Sequence, residues 1–162
     1  MKKDQDITWY VVADGTRGRV LKLEERKIVR AVDRRKSARV SVRKVVPALD
    51  EDFIGRNLKS REMLADRLGQ RTPGNPAIPA DPHQDEKFGF ALELADVLTR
   101  AFNQHRFERL VLVAPPEMLG NFRQTLPEPV KRHIIIEEDK DLTWLPDDEL
   151  AERLDSLTAR AA

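Results

Sequence analysis

The chain has 162 residues, 40% of them hydrophobic and 35% charged, with a formal net charge of +1. That length suits one domain with its own apolar core, and the absence of cysteine excludes disulfides, thiolate zinc sites and cysteine nucleophiles. The small net charge hides a split: residues 1–46 hold fourteen Lys/Arg against six Asp/Glu, a net of +8, and residues 47–162 hold fifteen against twenty-two, a net of −7.

No apolar run approaches the ~20 residues of a membrane span. Residues 7–13 are too short and too soon followed by Asp14 for a secretory signal, so a cytoplasmic location without membrane contact is expected. Those residues, β-branched and aromatic, predict a buried strand that ends at the turn Asp14-Gly15. Residues 20–23 and 28–32 flank the charged run Glu24-Glu25-Arg26-Lys27, which predicts a hairpin turning there. Ala38, Val40 and Val42 alternate with Arg39, Ser41 and Arg43, as in a strand with one buried face and one wet, basic face. Residues 47–81 have no clear period beyond a short helix expected around 61–68, and read as a long loop.

Asp81-Pro82-His83-Gln84 has the form of a helix start, with Asp as N-cap and Pro at the first helical position. Phe88, Ala91, Leu92, Ala95, Leu98 and Phe102 then follow helical spacing as the core face, and Glu93, Asp96, Arg100 and Asn103 fill the other. Residues 110–113 and 133–136 read as strands. Pro115-Pro116 opens a helix presenting Met118, Leu119 and Phe122, and Pro146 opens a last helix with Leu150, Leu154 and Leu157. The prediction is one α/β domain over 1–162: a basic β-meander (1–46), a long loop (47–81) and an αβαβα portion (82–160). These form a mixed sheet with helices on its faces. The order of elements resembles the ribonuclease-H-like fold.

Metal-dependent nuclease chemistry on such a sheet needs clustered carboxylates to hold divalent cations. Asp14 is a candidate, with Glu93 or Asp96 as a second, but the strand ending Val113-Ala114-Pro115-Pro116 has no acid at its tip and Glu117 already lies in the next helix. His83, His105 and His133 are not spaced as zinc ligands, and no serine elbow, dinucleotide or Walker motif occurs, so no metal or cofactor is expected. The firmest signal is the segment 26–44, with nine Lys/Arg against the single acid Asp33. Arg34, Arg35, Lys36, Arg39 and Arg43 suit a phosphate backbone. The same charges also suit an edge protected from aggregation, or pairing with acids of the second half such as Glu137-Glu138-Asp139. No aromatic residue interleaves them.

Four stretches in order carry a resemblance: residues 8–19 (Thr8-Trp9-Tyr10 to Arg17-Gly18-Arg19), 88–95 (Phe88-Gly89-Phe90 to Ala95), 110–120 (Leu110 through Ala114-Pro115-Pro116-Glu117 to Gly120) and Lys140-Asp141-Leu142-Thr143. Together they resemble the bacterial host attachment protein family. The resemblance implies a relation to the central domain of archaeal and eukaryotic peptide-chain release factors, and hence a role near RNA or the ribosome. In release factors a Gly-Gly-Gln loop before the first long helix promotes peptidyl-tRNA hydrolysis. Here Leu68-Gly69-Gln70 stands in that place, with Leu for the first Gly, flanked by Arg67 and Arg71. The leading expectation is a non-enzymatic protein contacting RNA or the ribosome through its basic strand. The alternatives are a hydrolase using Asp14 or Gln70, and an interaction module whose basic face meets an acidic protein or a second copy.

Overall fold

The structure is a computed structural model that describes residues 7–15, 17–33, 36–49 and 82–161, with the backbone alone for 26–42 and 82–85. Its elements are β1 (Thr8–Ala13), β2 (Gly18–Asp33), β3 (Lys36–Pro47), α1 (Pro82–Asn103), β4 (Arg109–Ala114), α2 (Pro116–Thr125), the single turn α3 (Glu128–Lys131), β5 (Ile134–Asp139) and α4 (Asp147–Ala161). One five-stranded mixed sheet runs in the order β3-β2-β1-β4-β5. β1 is antiparallel to β2 and parallel to β4, β2 is antiparallel to β3, and β4 is parallel to β5.

β1 and β4 are buried on both faces, which explains their unbroken apolar runs. Trp9, Val11 and Ala13 of β1, with Leu110, Leu112 and Ala114 of β4, face α1, α2 and α3. Tyr10 and Val12, with Val111 and Val113, face the Leu150, Ala151 and Leu154 stripe of α4. The strand period of two thus divides one run of sequence between two cores. Burial of each large side chain here stabilises the fold by about 1.5–3 kcal/mol before ordering costs. Burial pushes the Tyr10 phenol above its ordinary pKa, and its hydroxyl donates to Thr158 Oγ1 at 3.3 Å.

Two expectations change. The hairpin expected at residues 24–27 is absent: β2 is one continuous strand, and the chain reverses between Asp33 and Lys36. The run Glu24-Glu25-Arg26-Lys27 contains no turn residue, and its acids stand opposite bases, Glu24 across from Lys44 and Glu25 across from Arg43. Opposite charges directly across an antiparallel pair favour pairing over turning. The core face of α1 is rotated as well. Phe88 and Leu92 are exposed, at 37% and 54%, and the buried set is Phe90, Ala91, Leu94, Ala95, Val97, Leu98 and Ala101. Gly18 selects this face, because a Cβ there would lie 2.8 Å from Phe90 Cζ and 3.1 Å from Leu94 Cδ1. Only a bare backbone lets those two side chains settle on the β1–β2 turn. The run at 133–136 does enter a strand, β5, which is an edge strand with alternating exposure.

α1 ends in a left-handed residue, His105 (φ 56°). The His105 amide donates to Phe102 O and the Arg106 amide to Ala101 O, the Schellman arrangement, with histidine in the place glycine usually takes. The expected helix around residues 61–68 lies outside the described residues.

Candidate functional site

The basic segment is built as a two-stranded ribbon that outruns the sheet. β1 pairs with β2 only over residues 18–21, from Ala13 opposite Gly18 to Tyr10 opposite Leu21. From Lys22 opposite Val46 to Asp33 opposite Lys36, β2 and β3 pair with each other, roughly 35–40 Å of ribbon at about 3.3 Å per residue. The register fixes its direction. β2 runs antiparallel to β1, so beyond Leu21 the ribbon passes the N-terminal end of β1, the end away from Asp14.

Of the expected nucleic-acid contacts, Arg34 and Arg35 lie outside the described residues, and Lys36 and Arg39 are placed by backbone register alone, opposite Asp33 and Val29. Arg43 is exposed and lies 3.2 Å from Asp155 of α4. Arg19, at the start of β2, lies 2.9 Å from Asp147. These half-exposed pairs are worth about 0–1 kcal/mol each. They tie the base of the ribbon to α4, where Leu23 and Val45 also pack. Glu137, offered by the sequence as a partner for the basic face, instead receives Arg123 Nε at 3.1 Å and Arg123 NH2 at 2.6 Å, which raises the pKa of that guanidinium. Glu138 pairs with Lys140. The basic and acidic halves therefore meet through α4 rather than through β5.

Asp14 lies at the C-terminal end of β1 and holds a turn. Its Oδ1 accepts the Arg17 amide at 2.6 Å, and its amide donates to Arg17 O at 2.9 Å. Its Oδ2 lies 3.3 Å from Thr143 Oγ1. Asp141 Oδ1 accepts the Thr143 amide at 3.0 Å and its hydroxyl at 2.5 Å, and Asp141 O accepts Trp144 Nε1 at 2.8 Å. This network joins the β1–β2 turn to the segment leading into α4. Trp144 was not legible as part of it, since Leu142 and Leu145 beside it suggest a buried run. The Lys140-Asp141-Leu142-Thr143 stretch was the only signal.

The other candidate acids lie on α1 and α2. Asp96 pairs with Arg100 on the exposed side of α1. Glu117, in the first turn of α2, receives Lys87 Nζ at 3.0 Å, and the Lys87 stem crosses Gly15, where a Cβ would lie 2.7 Å from it. Glu93 is half-buried on α1. Among the described residues no group of three or more His, Asp or Glu is placed to hold a metal ion. His133 has a structural role: its Nδ1 donates to Glu108 O at 2.7 Å, and its ring lies tilted against Phe102 with 4.9 Å between centroids. Gln70 lies outside the described residues. Among the described residues no helix is long and apolar enough to cross a membrane.

These features define an α/β protein with a five-stranded mixed sheet, whose basic residues are concentrated along the paired strands β2 and β3. Residues 9–154 match the family described as "Protein required for attachment to host cells". The match spans most of the chain, and the protein belongs to this family. No curated protein matches it.

Proposed function

We propose that the protein is a non-enzymatic, cytoplasmic member of its family that contacts RNA or the ribosome through the β2–β3 ribbon, with Arg34, Arg35, Lys36, Arg39 and Arg43 on the phosphates. The carrying observation is the ribbon: residues 18–47 hold eleven Lys/Arg against three Asp/Glu, on two strands that pair with each other beyond the edge of β1, with Arg19 and Arg43 at the base tied to α4. Phosphate contact needs arginine and lysine on an accessible, extended frame and no catalytic cluster. The order of elements supports a release-factor-like, ribonuclease-H-like relation, which fits a partner of this chemistry. Attachment to host cells then follows indirectly, from a cytoplasmic process whose loss alters the cell surface.

The test is binding of the full chain to ribosomes and to defined RNA at several salt concentrations. The affinity should fall steeply with salt, with a log–log slope of about −0.7 to −0.9 per phosphate neutralised. Arg39→Glu with Arg43→Glu should weaken all RNA sequences alike. Absence of binding at low salt, or binding indifferent to salt, refutes the reading.

A further inference from the structure

Trp144 is 73% exposed, the most exposed large apolar side chain among the described residues. It is not loose. Its indole N–H is consumed by Asp141 O at 2.8 Å, on a turn locked by Thr143 and Asp141 and anchored by buried Leu142 and Leu145. The ring therefore offers its apolar faces from a fixed position. Rigid exposed aromatics of this kind act as docking anchors, because little ordering remains to be done on binding.

Its surroundings select the occupant. Residues 139–149 carry five acids (Asp139, Asp141, Asp147, Asp148 and Glu149) against one base, Lys140. Asp139, Asp148 and Glu149 are exposed and engage in no ion pair among the described residues. Acids in the first turn of α4 also complement the helix dipole, which accounts for them locally. Nothing local accounts for an outward tryptophan. A negative rim repels phosphate and favours a guanidinium, which stacks on indole and pairs with carboxylate together.

The chain carries that chemistry itself, at its other end. The ribbon leaves the sheet past the N-terminal end of β1, and Trp144 is tied, through Thr143, to Asp14 at the C-terminal end. Within one copy Arg19, at the start of β2, reaches this face at Asp147, but beyond Leu21 the ribbon runs away from it. We propose that the basic ribbon of one copy docks on the Trp144 face of a second copy, a head-to-tail contact between unlike surfaces. A two-stranded ribbon alone is marginal in water, so docking on a partner surface would also stabilise it.

The experiment is sedimentation velocity of the full chain, freed of nucleic acid by nuclease, at low salt and at about 0.5 M salt, where the screening length is only a few ångströms. Association should grow with concentration at low salt and vanish at high salt. Trp144→Ala, which removes an exposed side chain and leaves the fold intact by circular dichroism, should weaken it about tenfold or more. Asp148→Lys with Glu149→Lys should be monomeric, as should Arg30→Glu with Arg39→Glu, and mixing the two variants should restore a 1:1 complex. A monomer at every concentration in low salt, association indifferent to Trp144→Ala, or variants that fail to complement would overturn the proposal. The RNA-binding reading uses the same ribbon but stands or falls separately, since that assay is made on RNA and this one without it.

Discussion

Residues 9–13 of β1 and 110–114 of β4 are at most 3% exposed, whereas Glu24, Glu25, Arg43 and Lys44, where β2 and β3 leave the sheet, are all exposed. The first region is held by apolar burial between distant segments. The second is held by its ladder and by two ion pairs to α4. Stability and charge are thus assigned to different parts of one sheet. Surface charge on the ribbon is open to change for function, because little of the folding free energy resides there.

The sharpest test of this division is in the core. Phe122 of α2 is fully buried against the sheet, and Phe122→Ala should cost about 3–5 kcal/mol in urea unfolding. A loss below about 1 kcal/mol would mean that the α1–α2 layer does not carry the fold. Next comes the junction of the two regions. Gly18→Ala places a Cβ 2.8 Å from the buried Phe90 ring, and should cost about 1–3 kcal/mol. A neutral Gly18→Ala would show that Phe90 and Leu94 can withdraw freely. The smallest effect is expected at the ribbon base. A double-mutant cycle on Arg43 and Asp155 should return a coupling of no more than about 1 kcal/mol, diminishing in salt. A larger, salt-resistant coupling would erase the contrast and make the ribbon base part of the stabilising core.

What sequence reasoning could reach follows from the range of the forces involved. α2 was legible because Pro115-Pro116, Met118, Leu119 and Phe122 carry start signal and core face within eight residues. The buried strand at residues 7–13, and the last helix with Leu150 and Leu154, were legible for the same reason, whereas the division of that strand between two cores was not. The face of α1 was not, since Phe88 and Leu92 compete with Phe90 and Leu94 and the choice is made by Gly18, far away in sequence. The ribbon was misread as a hairpin at 24–27 because the charges that straighten it lie on the opposite strand. The basic segment itself was visible at once, and where Arg43 points was not, because Asp155 is brought to it by packing of α4. His105 hid a helix cap, since histidine rarely takes the left-handed position.

β1 is completed on one side by β2, its immediate neighbour in sequence, and on the other by β4, with Trp9 opposite Leu110. During synthesis these two partners arrive at very different times. At about 5–20 residues per second, the hundred residues between them take on the order of 5–20 s to emerge. For most of that interval β1, an apolar strand buried in the finished fold, has one open edge and faces not yet covered by α1 and α4, the features that template misassembly. The nascent chain therefore passes through a window in which chaperone occupancy bears on yield; its open edge is closed by β4 at residue 114, and its second face only by α4, residues 147–161.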